Sequence, residues 1–246
     1  MKFSNLDSIL NEIKQIAKLC YEKGWSESNA GNFSINITHS PWLNSLELNK
    51  IPFDIPKCKY PFLYNQTLII SNANSKFRDI SNSPKRFICI FKISSDGTCN
   101  LFSLIEDLNN ISPTSELKTH LAVHNAQIAI ENKNIAILHA HPTALIVLSL
   151  LKEEKSNENI TELMTKHYPE LALFLPEGIG FIPYLTPGSF ELAIETSENS
   201  KKYRLNIWEK HGCITIGKSL SEAFDFIDIA EKSAKIYLLA KKYRSI

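Results

Sequence analysis

Apolar residues recur at three- and four-residue steps between residues 4 and 23, at Ile9, Ile13, Ile16, Ala17 and Cys20, which predicts a helix. Gly24 follows where a helix C-terminus favours a left-handed residue. Residues 29–38 open as a Gly/Asn turn and continue as an alternating strand with Phe33, Ile35 and Ile37 on one face. Residues 40–66 carry Pro41, Pro52, Pro56 and Pro61 and read as a long ordered excursion. Strands are predicted over 67–71, 87–94 and 98–104, the last two joined by the Asp96-Gly97 hairpin signal.

A second helix is predicted from Thr114-Ser115 to about Glu131, capped by a hydroxyl residue, with Leu117, Leu121, Ala122 and Ile128 as its apolar stripe. A short buried strand over 135–141 follows. Pro142 ends it and suits the first turn of a helix over 144–152. Beyond a polar loop at 153–159 come a strand at 171–175, a Gly/Pro-rich structured loop and a helix at 190–200. Residues 206–217 read as a strand, turn or strand pair around His211-Gly212, and Ser219 with Glu222 forms a capping box for a last helix. Strands clustered mid-chain with helices at both ends predict a single-domain α/β sandwich over residues 1–246. Its central, mostly antiparallel sheet is flanked by helices.

Composition supports one packed core, with 43% hydrophobic and 22% charged residues in a 246-residue chain. The net charge of +1, from 27 basic and 26 acidic residues, offers no broad field for a nucleic acid, so any phosphate is bound locally. The first 14 residues lack a signal-peptide core and no stretch reaches a membrane-spanning length, so no membrane partner is expected and the reading is cytoplasmic. Little chain follows the last helix, so little tail is expected to cover a neighbouring subunit. Five scattered cysteines without a Cys-x-x-Cys argue against a disulfide framework or a thiolate zinc knot, and are expected to be buried, reduced and inert. Cys213 lies two residues from His211, but a non-ligating role is expected of it.

His139 and His141 are two apart on a strand, so both imidazoles leave the same face and can converge on one ion. A lone strand histidine is more often a satisfied core residue. His211, between an apolar strand and Gly212, adds a third ligand, and three histidines with an open position make a catalytic zinc arrangement. His120 and His124 form a competing i, i+4 pair, read as packing and hydrogen bonding, while His39 and His167 are read as surface residues. Glu116, at the start of its helix, is either a helix-end carboxylate or a base for a C–H proton beside a metal. Asn29-Ala-Gly-Asn32 is a plain turn or an anion nest of backbone N–H groups.

Taken in order, GWSESNAGNFSI, PTSELKTHLAVHN, ILHAHPTAL, FLPEGIGFIPYLTPGS and WEKHGCITIGKSLSEAFDFIDIAEKSAKI resemble the class II (zinc-dependent) aldolase family, in particular its L-rhamnulose 1-phosphate branch. The resemblance implies an antiparallel-centred α/β fold, a homotetramer with active sites at subunit interfaces, and one Zn2+ per subunit. It further implies reversible cleavage of L-rhamnulose 1-phosphate, a small-molecule sugar phosphate, to dihydroxyacetone phosphate and L-lactaldehyde. Position by position, His139, His141 and His211 match the zinc ligands and Glu116 the catalytic glutamate. Asn29, Gly31, Asn32 and Ser115 fall in the phosphate-binding part, and Glu170 matches a second acid near the aldehyde. One departure is Ser71-Asn-Ala-Asn-Ser75, where the family often has a Gly-rich turn; Asn72 is then expected to take the left-handed backbone of a glycine. Two alternatives are an aldolase or epimerase acting on another ketose phosphate, of fuculose or ribulose type, and a non-catalytic adducin-like module, although such modules lose the metal ligands.

Overall fold

The computed structural model describes residues 5–51, 58–106, 111–132, 135–151 and 156–244. Among these, nine strands form one sheet: β1 (Asn32–Asn36), β2 (Asn49–Ile51), β3 (Thr67–Ser71), β4 (Ile88–Ile93), β5 (Cys99–Ser103), β6 (Ala136–Ala140), β7 (Gly180–Ile182), β8 (Leu205–Trp208) and β9 (Gly212–Gly217). Their order is β2-β5-β4-β3-β1-β6-β9-β8-β7. Every neighbouring pair is antiparallel except the edge pair β7–β8. The α-helices are α1 (Leu6–Glu22), α2 (Phe77–Ile80), α3 (Leu117–Ala129), α4 (Thr143–Ser149), α5 (Asn157–His167), α6 (Leu171–Phe174), α7 (Phe190–Ser200) and α8 (Leu220–Arg244).

Alternation along the central strands sends their side chains into two separate layers. Phe33, Ile35, Leu138, Ala140 and Cys213 pack with Ile9 and Ile13 of α1, Leu145 of α4 and Ile227 of α8. On the opposite face Ile137, Ile214 and Ile216 pack under Val123 of α3 and Leu192 of α7. Farther along that face Leu68, Ile70, Phe91 and Leu101 meet Leu121 of α3. The α/β sandwich with a central antiparallel sheet is therefore the architecture of this chain.

Local chemistry explains most of the boundaries. Asn5 caps α1 by accepting from the Ser8 amide at 2.8 Å, and Gly24 leaves the helix with φ +71°. The Asp96-Gly97 turn closes β4 and β5, with Gly97 at φ +80° and its amide bonded to the Ser94 carbonyl at 3.0 Å. Ser219 accepts from the Glu222 amide at 3.1 Å to start α8, while the Glu222 carboxylate reaches the Lys218 amide. Residues 206–217 resolve into the antiparallel pair β8–β9.

Several expectations need correction. Residues 171–175 are not a strand: Leu171–Phe174 form the short helix α6, with Leu171 and Leu175 both buried across its one turn. Within and after the polar stretch lies α5, capped by Ser156 and anchored by Ile160 and Met164. The elements β2, α2 and β7 were also not anticipated. No side chain caps α3; it starts at Leu117, three residues after Thr114. Pro142 occupies the N-cap position of α4 rather than its first turn. His167 is half-buried, bonded to the Leu163 carbonyl at 2.8 Å and set against Tyr237. All five cysteines are free and buried. Burial pushes the Cys20, Cys89 and Cys213 thiols up, while the Cys99 thiol beside Cys58 pulls that group down. The readings at Ser4, Pro52, Pro56, Lys152 and residues 153–155 lie outside the described residues.

Candidate metal centre

Strand β6 delivers His139 and, one residue past its end, His141; the β8–β9 turn delivers His211. Each of the three offers one ligand atom, and these atoms all lie within 4.8 Å of one another. The rings stand edge to face, with centroids 4.9 Å apart for His139–His141 and for His139–His211, and 5.1 Å for His141–His211.

The far sides of the rings decide what the near sides can do. His139 Nδ1 is 2.8 Å from the Cys213 carbonyl, and His141 Nδ1 is 2.8 Å from Glu27 Oε1. Both acceptors lack a proton, so each Nδ1 is the donor, and each neutral ring is left with a lone pair on Nε2. Those two lone pairs face one another across 3.1 Å. At that distance a positive charge, a proton or a metal ion, has to lie between the two nitrogens. Zn–N bonds of about 2.0–2.1 Å at the tetrahedral angle separate two ligand nitrogens by about 3.3 Å, close to the spacing found. His211 Nδ1 is enclosed without a partner. The donor set therefore fits a divalent transition-metal ion.

Burial keeps His139 and His211 unprotonated. His139 is held well below the ordinary imidazole range by burial first and then by its two neighbours, and burial pushes His211 down to about 4. For Glu27, burial raises the carboxyl, but the His141 hydrogen bond and the neighbouring imidazoles outweigh it and leave the group below its usual value.

Packing then locks the rings. Trp208 lies against His139 at 4.6 Å and against His211 at 5.1 Å, with its own Nε1 donating to Thr196. Lys210 takes a left-handed φ of 63° so that the turn can bring His211 back over the Trp208 carbonyl. At Gly212 a Cβ would collide with the Ala140 carbonyl and approach His141 Cδ2 to 2.8 Å. At Gly31, φ +83°, a Cβ would meet the His139 carbonyl at 3.1 Å. Cys213 is a buried support whose carbonyl orients His139, not a thiolate ligand.

A family model described as the Class II Aldolase and Adducin N-terminal domain matches residues 11–238. The chain belongs to this family. It is 32% identical to a rhamnulose-1-phosphate aldolase of Bacteroides thetaiotaomicron, over 94% of this chain and 86% of that one. A rhamnulose-1-phosphate aldolase of Enterococcus faecalis is 30% identical, over 93% and 81%. Among solved structures, a sugar-phosphate aldolase from Thermotoga maritima superposes with a TM-score of 0.80 at 30% identity, covering 97% of each chain. An L-fuculose-1-phosphate aldolase from Thermus thermophilus shares the fold at 17% identity and a TM-score of 0.64. Family and relatives together make the chain an aldolase, a carbon–carbon lyase.

The remaining aldolase-family positions fall in two groups. Glu116 is buried at 4% exposure just before α3; burial raises its carboxyl, against the Gly188 amide, the Thr119 hydroxyl and Lys118. Asn32 sits directly opposite His139 in the β1–β6 register. Asn29 is exposed and reaches Asn74 at 3.5 Å, and Ser115 is exposed beside Gly188. Asn72 does not take the left-handed backbone; Asn74 does, at φ 58°, while Asn72 stays bridged to Pro113 and leaves its Oδ1 enclosed without a partner. Glu170, by contrast, is exposed at the start of α6 and accepts from the Tyr168 hydroxyl at 2.6 Å. Its helix packs on α8, on the sheet face opposite α3. Sequence reasoning missed Glu27, a lone exposed acid with no spacing cue, and gave Trp208 no role.

Proposed function

We propose that this chain is a zinc-dependent aldolase that reversibly cleaves L-rhamnulose 1-phosphate to dihydroxyacetone phosphate and L-lactaldehyde. The observation that carries it is the convergence of His139, His141 and His211, whose ligand atoms all lie within 4.8 Å of one another. When bound, a divalent cation supplies Lewis acidity to the carbonyl next to the bond that breaks. His139, His141 and His211 would hold it, with Glu27 and the Cys213 carbonyl fixing two of the rings.

Cleavage leaves an electron pair on the dihydroxyacetone carbon, and Glu116 delivers the proton that this carbon takes up. Its raised carboxyl holds a proton more readily than an exposed glutamate does. In the condensation direction the same carboxylate removes that proton. Glu170 takes the proton leaving the aldehyde oxygen; since it lies on the opposite face of the sheet, we assign it to the site of a neighbouring subunit in a homotetramer. Asn29, Gly31, Asn32, Asn72 and Ser115 are assigned to the phosphate, which suits the near-zero net charge. We place the enzyme in the cytoplasm as a single domain.

The relatives' names and the PTSEL and WEKHG segments support the rhamnulose branch. The three retained ligands weigh against a non-catalytic adducin-like module. The test is incubation of zinc-loaded protein with L-rhamnulose 1-phosphate and a coupled reductase for dihydroxyacetone phosphate. No turnover rejects the reading, and preference for fuculose or ribulose phosphates in a substrate panel reassigns the sugar. Elemental analysis of protein purified without added metal identifies the ion.

A further inference from the structure

The face of the sheet that carries His139 also carries a buried polar chain that ends on Asn32, and its other members, Ser34, His120 and His124, have no role in the reaction above. Ser34 Oγ lies 2.7 Å from His120 Nδ1 and 2.8 Å from His124 Nε2. His120 Nε2 lies 2.7 Å from Asn32 Oδ1. Ser34, His120 and His124 are fully enclosed, whereas Asn32 keeps 7% of its surface exposed. Asn32 and His139 are cross-strand partners, so their side chains leave the same face.

The direction of each hydrogen bond follows from one atom. Burial holds both imidazoles neutral, each pushed down to about 3, so each ring carries a single N–H. His124 Nδ1 is enclosed without a partner. If the chain runs from His124 toward Asn32, His124 Nε2–H donates to Ser34, Ser34 donates to His120 Nδ1, and His120 Nε2–H donates to Asn32 Oδ1. The partnerless Nδ1 is then a bare lone pair. If the chain runs the other way, the partnerless atom is a buried N–H. Orphaned buried N–H groups are the rarer and costlier defect, so the first direction is favoured.

We propose that His124, Ser34 and His120 form a positioning relay that holds the Asn32 amide with its oxygen toward His120 and its Nδ2 donor toward the sugar phosphate. An Asn32 side chain turned the other way would set its carbonyl against a phosphate oxygen, acceptor against acceptor. The relay adds no charge to a site that already holds three imidazoles and a carboxyl. It rests on the aldolase reading for the identity of the ligand, not for its own geometry.

Histidine-labelled protein, followed by 15N NMR of the ring nitrogens, reads the relay without turnover. Both rings should carry the proton on Nε2; a proton on Nδ1 of His124 overturns the proposal. In kinetics, Ser34→Ala should raise KM for the ketose phosphate roughly 3- to 10-fold with kcat and bound metal unchanged, the worth of one hydrogen bond. Ser34→Thr should restore it, and Asn32→Ala/Ser34→Ala should be no worse than Asn32→Ala. Additive losses, or a fall in kcat alone, overturn the relay. Should Ser34→Ala fail to fold, the tautomers of the parent protein decide. A parent protein that cleaves no ketose phosphate defeats the aldolase reading and leaves the tautomer result standing; reversed tautomers in an active enzyme defeat the relay alone.

Discussion

Removing the carboxylate behind His141 should weaken metal binding without weakening the fold. Glu27 Oε1 accepts from His141 Nδ1 at 2.8 Å, which sets the tautomer and makes Nε2 the ligand atom. Partners of this kind are worth roughly 10- to 100-fold in metal affinity. The Glu27 side chain is 66% exposed, so solvent screens its charge and the low end applies. Glu27→Ala should therefore weaken affinity about tenfold, or about 1.4 kcal/mol. Glu27→Gln keeps an acceptor for Nδ1–H and loses only the charge, so its cost should be about threefold.

The assay is competition for the ion against a fluorescent chelator at neutral pH, alongside urea unfolding of the metal-free protein. Unfolding free energy should move by no more than about 0.5 kcal/mol, since Glu27 is a surface residue. His139 has no equivalent variant, because its orienting partner is the Cys213 backbone carbonyl. Metal affinity of Glu27→Ala within about twofold of the parent would refute the orienting role and with it the assignment of His141 Nε2 as a ligand.

His141→Ala should abolish bound metal and turnover while circular dichroism stays that of the parent, because His141 is only half-buried at the strand end. Glu116→Gln should retain full metal by elemental analysis and lose roughly 10²- to 10⁴-fold in kcat. Gly212→Ala forces the β9 backbone off the Ala140 carbonyl and His141, and should cost about 1–3 kcal/mol in urea unfolding together with metal. His120 and His124 have folded values near 3 against an ordinary 6.5, so below pH 6.5 the unfolded chain binds protons that the folded one refuses. These two imidazoles alone should lower the stability of the metal-free protein by roughly 4 kcal/mol between pH 7 and pH 5, with His139 and His211 acting in the same direction, and unchanged urea midpoints over that range would refute it.

The layer architecture was legible wherever one period dominated. The three- and four-residue steps of Ile9, Ile13, Ile16 and Cys20, the alternation of Phe33, Ile35 and Ile37, and the run over 67–71 each point one way, and each became the predicted element. Misreadings fell where the apolar run was too short to show a period. Leu171 to Leu175 holds only two buried anchors, compatible with either spacing until the backbone is seen. Strand β7 is three residues long and owes its existence to its parallel pairing with β8, a long-range contact that no local window contains. The α3 helix misled differently: Thr119, His120, Val123 and His124 are as buried as its apolar stripe, because it lies between the sheet and α7.

The metal centre divides along the same line. The meeting of three histidines was readable because coordination needs particular atoms, and His139 and His141 at a strand end with His211 in a glycine-closed turn converge. What makes those histidines ligands is less readable, since it depends on the tautomer, and the tautomer is set by groups remote in sequence. Glu27 lies 114 residues from His141, and the Cys213 carbonyl 74 from His139. A backbone carbonyl carries no residue signature at all. The same holds for Ser34, which looks like an ordinary strand serine until two imidazoles 86 and 90 residues away close on its hydroxyl. Side-chain type thus announces which groups can bind a cation, while folding decides which nitrogen of each ring is left bare to do so.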